Sequence, residues 1–485
     1  MTELRRSLCG ASVLSNPIPF SMTSGHRLDR TVRKRTLRMW VAQIIGISLA
    51  LIGAVLAREP KSLAARSAEP TFAEDVAPIL YKNCATCHHP GGMGPFSLLE
   101  FDSAKAKVDE MRDAVAQGQM PPWHAEGAHG VFRNDRRLSD ADKQTILRWI
   151  DAGAKPGDLN RLPPKPEYPG SWAIGNPDAI VAMSEEFVVP ASGAVEYQYF
   201  EVPTNFTEDK WVQAMEIMPG AREAVHHVMV YAKVPPAPGA APATPAPRPA
   251  GTPAPQPLFI RNPAHVARTD SSCFTCTPRA LGTLIGTETP GNNVVEFPKG
   301  AALLLRAGTV LAFQMHYTAH GHEMRDRTKV GFRFAKEMPD EQIFASNFTN
   351  GSFTIPAGAK NFAVPAEVGA SAPVRIWGLM PHTHLRGTRW QYKLEKPDGT
   401  SEIILDVPHY DFNWQTYYMF DKPLEVPAGG KITSMAWYDN SPSNTHNPDA
   451  TKDVRWGDQT WEEMQYTGFF YSIPSRRLKP AGGSP

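Results

Sequence analysis

The sequence predicts a multidomain protein with a small all-α domain and two all-β sandwich domains, which follow an N-terminal membrane or signal helix. Three observations support this fold class. An apolar run stands near the N-terminus, with basic residues immediately before it. Residues 69–158 show helical spacing of apolar side chains around a Cys-x-x-Cys-His motif. After a proline-rich linker, the pattern changes to short alternating runs separated by Pro-Gly or Ala-Gly turns, which is typical of β-sandwiches.

Residues 40–57, WVAQIIGISLALIGAVLA, form the apolar run. Its length is at the lower limit for crossing a bilayer. Basic residues precede it at Arg33, Lys34, Arg35 and Arg38. Because positive charges stay on the cytoplasmic side, everything after residue 57 should be exported to the periplasm or another extracytoplasmic compartment. The run is either a cleaved signal peptide or an inner-membrane anchor, and residues 1–39 are either a cytoplasmic tail or an extension upstream of the true start.

Length and charge limit the class of partner. The chain has 485 residues and a formal net charge of +1, so about two to four globular domains are expected, without an electrostatic bias toward nucleic acid. The sequence also lacks a long basic tract interleaved with aromatic residues. We therefore expect no nucleic-acid partner.

The helical domain, residues 69–158, is organised around the motif that runs from Cys84 to His88, CATCH. This is the c-type haem attachment signature: Cys84 and Cys87 would bond the porphyrin vinyl groups, and His88 would be the proximal iron ligand. We therefore predict one covalent haem c. Met120 is the predicted sixth ligand, because a thioether opposite histidine is the usual electron-transfer arrangement. Met93 and His124 are the alternatives.

Helix signals flank this motif on both sides. Thr71 to Glu74 has the pattern of a capping box that starts a helix leading into the cysteines. Ser139 should cap a later helix that ends at Gly153. With two terminal helices around a haem loop, residues 69–158 resemble a small class I cytochrome c domain.

The β-rich part of the sequence contains a duplication. RAGTVLAFQMHY, residues 306–317, aligns without a gap with PAGGKITSMAWY, residues 427–438. Two related β-sandwiches at 172–336 and 338–478 explain this repeat, and the His226-His227 strand should occupy a place in one similar to that of His382-Thr383-His384 in the other. The proline- and alanine-rich residues 235–257 should be an exposed polyproline-like excursion within the first sandwich.

The remaining cysteine pair, Cys273-Phe274-Thr275-Cys276, is not followed by a histidine and is therefore not a second haem motif. We expect either a local disulfide or a metal-binding pair at this position.

Histidines in this β-rich part suggest metal binding. Residues i and i+2 of a strand point to the same face, so His382 and His384 can offer two imidazoles to one ion. Adjacent residues point to opposite faces, so His226 and His227 can share an ion only at a bulge or a strand end. Imidazoles combined with one thioether suit copper. The other candidate ligands are His316 and Met464.

These residues resemble the copper type II, ascorbate-dependent monooxygenases, the group that includes peptidylglycine α-hydroxylating and dopamine β-monooxygenases. The resemblance implies two jelly-roll domains, each with one copper. It implies that His226, His227 and His316 hold the electron-storing copper. It assigns His382, His384 and Met464 to the copper that activates dioxygen.

Several residues compete for these roles. Met380 and Met435 are the alternatives to Met464, and His320 and His322 lie close enough in sequence to compete with His316.

The resemblance implies a copper monooxygenase that hydroxylates a C–H bond of a small-molecule or peptide substrate with O₂. Its electrons would come from ascorbate or a redox protein and pass through the fused haem. The alternative is a membrane-tethered c-type cytochrome that carries electrons, with non-catalytic β-sandwich binding domains. The first hypothesis requires two copper ions and one haem; the second requires the haem alone.

Overall fold

The structure, a computed structural model, describes residues 69–92, 94–233, 257–265, 281–289, 292–474 and 478. The apolar run at 40–57, the alternative haem ligand Met93, the pair Cys273 and Cys276, and almost all of the excursion at 235–257 lie outside these ranges. In the part that is described, no helix has the length and apolar character needed to cross a bilayer.

The helices lie at the N-terminal end of the described chain. A π-helical turn, Phe72–Val76, leads directly into α1. The α-helices are α1 (Ala77–Asn83), α2 (Phe101–Lys105), α3 (Val108–Ala116) and α4 (Asp140–Asp151). Short 3₁₀ turns follow at Leu159–Arg161, Pro169–Ser171 and Pro263–His265. Phe72, Leu80, Ile146 and Trp149 are fully buried between α1 and α4 and form the centre of a separate apolar core.

One predicted helix cap is confirmed and the other is wrong. The Ser139 hydroxyl accepts a hydrogen bond from the Asp142 amide at 3.1 Å, and Gly153 has the left-handed conformation, φ 86°, just after α4. At the first helix, the Thr71 hydroxyl makes no capping bond. The Thr71 amide donates instead to the Asp75 carboxylate at 2.9 Å. The carboxylate that binds the Thr71 amide therefore belongs to Asp75, one residue after the predicted Glu74. The first turn is π-helical, and its wider turn accounts for the extra residue.

The rest of the chain is mostly β-structure. The strands are β1 (Ala179–Ala182), β2 (Phe187–Val189), β3 (Gln198–Pro203), β4 (Lys210–Met218), β5 (Val225–Lys233), β6 (Phe259–Arg261), β7 (Thr283–Glu288), β8 (Val294–Glu296), β9 (Ala301–Leu305), β10 (Val310–Tyr317), β11 (Met324–Asp326), β12 (Lys329–Phe334), β13 (Glu341–Thr349), β14 (Thr354–Ile355), β15 (Phe362–Ala370), β16 (Val374–His382), β17 (Gly387–Glu395), β18 (Ser401–Val407), β19 (Tyr418–Val426), β20 (Lys431–Tyr438), β21 (Val454–Arg455) and β22 (Tyr466–Ser472).

One large sheet runs through both predicted sandwiches. Its strand order is β1-β12-β4-β9-β13-β22-β16-β19, and β8 pairs with β4. Strands β9 and β13 pair in parallel, with Ala301 opposite Glu341. Because β9 belongs to the predicted first sandwich and β13 to the second, the two halves share backbone hydrogen bonds.

Two smaller sheets pack on the large one. The four-stranded sheet β3-β10-β5-β7 shares a buried core with the large sheet, in which Val228 contributes from β5 and Met215 from β4. The five-stranded sheet β18-β17-β20-β15-β6 shares a second core, in which Trp390 contributes from β17 and Phe469 from β22. Two-stranded ribbons form between β2 and β11 and between β14 and β21. The arrangement is compatible with β-sandwich domains, as predicted.

The duplicated segments form strands with similar positions. Strand β10 lies between β3 and β5, and strand β20 lies between β15 and β17, so each is an inner strand of its smaller sheet. The histidine strands differ. His226 and His227 lie on β5 of the four-stranded sheet, whereas His382 lies on β16 of the large sheet. The predicted equivalence of these two strands is wrong. His226 and His227 are carried by a smaller sheet, whereas His382 is carried by the large sheet on which that smaller sheet packs.

The connector between α3 and α4, residues 117–139, lies against β19. The ring of Trp123 packs on Tyr418 with 5.1 Å between ring centroids. The Arg133 amide donates to the Met419 carbonyl at 2.9 Å. These contacts attach the helical domain to the large sheet. Strand β19 of that sheet pairs with β16, which ends at His382.

Candidate metal and haem sites

A β-bulge brings His226 and His227 to one side of the sheet. Strands β5 and β10 pair residue by residue up to His227 opposite His316, and the next pair is Val225 opposite Tyr317. His226 is therefore the extra residue of the bulge. Because a bulge turns the additional side chain away from strict alternation, both adjacent imidazoles can face His316.

The three rings form one group of potential metal ligands. One nitrogen from each of His226, His227 and His316 lies within 4.8 Å of the others. The Nδ1 atoms of His226 and His227 are 3.2 Å apart. Two imidazole nitrogens bound at roughly 2.0 Å to one tetrahedral ion are about 3.3 Å apart, so this pair fits a shared first-row metal ion.

His316 supplies a buried ring nitrogen that accepts no hydrogen bond. Its Nε2 lies 3.3 Å from the Thr460 hydroxyl. Its Nδ1 is buried without a hydrogen-bond partner in the described part of the protein. A buried polar atom without a partner is costly, and a metal ion would satisfy it.

His382 and His384 are both buried, and their Nδ1 atoms are held by acceptors. The Nδ1 of His382 lies 2.5 Å from the Gln415 side-chain oxygen, and the Nδ1 of His384 lies 3.1 Å from the Glu462 carbonyl. Each ring therefore donates from Nδ1 and leaves the Nε2 lone pair for an ion. This arrangement of an acceptor behind each histidine is characteristic of metal-ligating imidazoles.

The two histidine groups are neighbours. The Phe412 ring stacks on His226 with 4.9 Å between centroids and meets His384 edge-on at 5.9 Å. One loop, residues 456–465, also contacts both groups, since it carries Thr460 beside His316 and Glu462 beside His384. The five histidines thus lie at one end of the β layers, where β5, β10 and β16 meet.

Cavities lie on both sides of this histidine cluster. A cavity of about 640 Å³ is lined by His227, His382, His384 and Met464. A larger cavity of about 1210 Å³ is lined by His226 and His316, together with the loop that contains Phe412. Both histidine groups therefore border space that can admit a small molecule.

Of the three methionines considered from the sequence, Met464 lines the same cavity as His382 and His384, and Met229 of β5 lines it as well. Met380 is completely buried in the first β core, where the Thr287 hydroxyl lies 3.5 Å from its sulfur. Met435 is half-buried on β20, opposite Pro365 and Gln391. The exposed histidines His320 and His322 do not belong to the three-histidine group.

Burial keeps the imidazoles in the neutral form that binds metals. It lowers the pKa of His382 to about 4 and that of His316 to about 3. The pKa of His227 falls well below its ordinary value, first because the ring is buried and then because four other histidines surround it. Protons therefore compete weakly for these nitrogens at neutral pH.

A pH-dependent stability follows for the metal-free protein. Above about pH 6.5, His382 is neutral in both folded and unfolded chains, and its contribution to stability is fully present. Between about pH 6.5 and the folded pKa of about 4, only the unfolded chain takes up the proton, so stability falls as the pH falls. We expect His382 to account for roughly 3 kcal/mol of this loss.

Urea unfolding of wild type and His382→Gln at pH 7 and pH 4.5 tests this expectation. The variant should lose less stability between the two pH values than the wild type does. An equal loss in both proteins would show that His382 titrates normally in the folded state.

The predicted haem-attachment residues lie on one turn at the end of α1. The amides of Cys87 and His88 both donate to the Cys84 carbonyl, at 3.1 and 2.9 Å. Neither cysteine forms a disulfide, and burial raises the pKa of Cys84 to about 12 and also raises that of Cys87. Both side chains are therefore free, protonated thiols at neutral pH.

His88, the predicted proximal ligand, has a ring held from one side. The Nδ1 of His88 lies 3.1 Å from the Phe96 carbonyl, so the ring donates there and leaves Nε2 for iron. The ring also lies so close to Gly94 that a Cβ at this glycine would be 2.5 Å from His88 Nδ1. These residues fit a covalent haem.

Met120 and His124, the two described candidates for the sixth haem ligand, both lie in the connector that follows α3. The Met120 amide donates to the Ala114 carbonyl at 3.1 Å, which fixes this residue at the end of α3. The His88 ring packs on Phe96, with 4.7 Å between ring centroids. His124 lines the 1210 Å³ cavity on the side of the β layers. The pairing of Met120 with haem iron therefore stays a prediction.

Sequence reasoning missed the residues that orient the histidines, namely Gln415, Thr460, Glu462 and Phe412. Each comes from a loop that is remote in sequence from the ring it contacts. Their only local signal is a position in segments without strand alternation, and that signal does not identify a partner.

No protein-family model matches this sequence, and no curated protein matches it. Among solved structures, VP54 of PBCV-1, fitted into a cryo-EM reconstruction of the virophage Sputnik, is 8% identical, with 63% of this chain and 97% of that chain covered and a TM-score of 0.22. A chain of the Gt strain of infectious bursal disease virus is 10% identical, with 63% and 69% covered and a TM-score of 0.16. A two-domain protein of unknown function from Bacteroides fragilis is 10% identical, with 60% and 94% covered and a TM-score of 0.15. At these TM-scores the likenesses carry no argument about fold or function.

Proposed function

We propose that this protein is a copper-dependent monooxygenase that hydroxylates a C–H bond of an organic substrate with O₂. The observation that carries the proposal is the bulge that gathers His226, His227 and His316 beside His382 and His384. A second set of donors, His382, His384 and Met464, shares one cavity. Three imidazoles in one set and two imidazoles with a thioether in the other suit copper in both of its oxidation states.

In this proposal the helical domain is a class I cytochrome c-like module that supplies electrons, and the β layers are two jelly-roll domains. Hydroxylation converts C–H, O₂, two electrons and two protons into C–OH and water. When bound, the copper ions would supply dioxygen activation and electron storage, and the haem would supply electrons one at a time. The connector between α3 and α4 supports this assignment, because it ties the helical domain to β19 beside the histidines.

The protein's own groups would orient the ligands and control water. Gln415 and Glu462 hold the His382 and His384 rings by their Nδ1 atoms. Phe412 fills the space between the two histidine groups. Burial raises the pKa of Tyr197, so its hydroxyl stays protonated 3.3 Å from the Nε2 of His227. The substrate would enter the cavity lined by His382, His384 and Met464.

The expected location is extracytoplasmic, with ascorbate or a redox protein as the electron donor. Incubation of the copper- and haem-loaded protein with ascorbate, ¹⁸O₂ and a panel of small-molecule and peptide substrates tests the function. We expect one ¹⁸O atom in a hydroxylated product. A protein that carries haem iron but binds no copper, and yields no product from any substrate, would instead be the electron carrier.

The oxygen of Gln415 should matter for the copper bound by His382. Because Gln415 accepts the His382 Nδ1 proton at 2.5 Å, Gln415→Leu is expected to weaken this copper site about 10- to 100-fold. Gln415→Glu keeps an acceptor and should retain most of the affinity.

Titration of the reduced protein against a Cu(I) chelator measures this change. The site at His226 is the internal comparison, since its affinity should change much less than that of the His382 site in Gln415→Leu. Equal affinities in wild type and Gln415→Leu would show that the Gln415 contact does not orient a ligand.

A further inference from the structure

A second group of metal-ligand atoms lies where the connector meets β18. One donor atom from each of Glu126, His129 and Asp406 lies within 4.8 Å of the others. Glu126 is exposed, His129 is half-buried and Asp406 is only 4% exposed. The group belongs to a different part of the molecule from the histidine cluster, since Asp406 lies on β18 of the five-stranded sheet.

The two carboxylate oxygens of Asp406 have different surroundings. Its Oδ2 accepts hydrogen bonds from Arg389 at 3.0 Å and from Gln391 at 2.9 Å. Its Oδ1 is buried and accepts no hydrogen bond from any residue that the structure describes. A buried carboxylate oxygen without a donor is unfavourable, and a cation beside it would remove that cost.

The backbone holds the connector in place over this oxygen. The Glu126 amide donates to the Asp406 carbonyl at 2.8 Å. Directly after His129, Gly130 has a φ of 81°, and a Cβ at this position would lie 2.7 Å from the Ile404 carbonyl. The left-handed glycine thus lets the chain pass close to β18 with Glu126 and His129 near Asp406.

We propose that Glu126, His129 and Asp406 form a zinc-type divalent cation site. One imidazole and two carboxylates are a ligand set that zinc accepts, and the exposed side at Glu126 leaves room for water to complete the coordination. Because Arg389 lies beside Oδ2 of Asp406 and offsets much of that carboxylate's single charge, the Asp406 Oδ1 would act mainly as a donor atom, and the Glu126 carboxylate would supply the additional negative charge beside the cation.

The cation would fasten the connector to β18. The same connector packs Trp123 on Tyr418 and then leads into α4, so the cation would add a further attachment between the helical domain and the β layers. The role is structural, and it is independent of the proposed oxygenase chemistry at the histidine cluster.

The test uses the full haem-containing chain, stripped of metals with EDTA and incubated with Zn²⁺ alone. Zinc bound after gel filtration is counted for wild type, His129→Gln, Glu126→Gln and the matched control His320→Gln, which removes an exposed imidazole elsewhere. We expect His129→Gln and Glu126→Gln to bind one zinc fewer than wild type, and His320→Gln to bind the same number. Zinc bound at the histidine cluster should be the same in all four proteins, so it does not affect the difference in zinc count between them.

Thermal unfolding provides a second measurement on the same proteins. Zinc should raise the Tm of wild type and of His320→Gln by more than it raises the Tm of His129→Gln. Equal zinc counts and equal Tm shifts in all four proteins would overturn the proposal. Asp406 is left unchanged in this design, because its replacement would also leave Arg389 and Gln391 without their acceptor.

Discussion

In the proposed copper monooxygenase, His226→Ala and His382→Ala are each expected to remove one of two copper ions and to leave the haem iron in place. The two rings belong to different donor sets: half-buried His226 lies beside His227 and His316, and buried His382 lies beside His384. Replacement of an outer-shell partner already costs about 10- to 100-fold in affinity or activity, so loss of a direct ligand should lower oxygen consumption by more than ~100-fold. Metal analysis and an oxygen electrode measure both effects.

The matched controls for these variants are His320→Ala and His322→Ala. Both residues are exposed and lie close to His316 in sequence, yet neither belongs to the three-histidine group. They should keep two copper ions and full oxygen consumption. If His226→Ala and His382→Ala bind as much copper as wild type, the histidine cluster does not hold the metal.

The two proposed copper sites should not behave as fully independent units. His382 and His384 both contribute to the lowered pKa of His227, and Phe412 contacts rings from both sets. Neighbouring residues with shared contacts usually show non-additive effects. Loss of one copper is therefore expected to change the affinity of the other site, although it should not empty it.

Local sequence patterns predicted the features that depend on few neighbouring residues. The cap at Ser139 follows from a short-range hydrogen bond, and the alternating runs follow from strand periodicity. The requirement for a bulge at His226 and His227 also came from strand geometry alone. The structure meets that requirement at the predicted pair, where β10 shifts its register against β5.

Features that depend on distant pairing could not be predicted in this way. The parallel contact between β9 and β13 joins the two halves, but neither strand carries a local signal for its partner. The wrong equivalence of the histidine strands has the same cause, because periodicity reports that a segment is a strand and not which sheet it joins. Gln415 reaches His382 across 33 residues of sequence, so its role appears only after folding.

Replacement of both motif cysteines should remove the covalent haem and leave the proposed copper ions in place. In Cys84→Ser/Cys87→Ser, the turn that carries His88 remains, but thioether bonds cannot form. We expect covalent haem to be absent, the copper content to stay at two ions, and oxygen consumption driven by a redox-protein donor to be abolished. Ascorbate reaches copper without the haem in this proposal, so ascorbate-driven turnover should persist.

The haem variant is measured by covalent haem staining after denaturing electrophoresis, metal analysis and turnover with each donor. Lys82→Ala, an exposed change on α1 just before the motif, is the matched control and should keep covalent haem and both activities. Equal donor-driven turnover in the cysteine variant and the control would show that electrons bypass the haem. The helical domain would then serve a role other than electron supply, while copper chemistry at the histidine cluster would be unaffected.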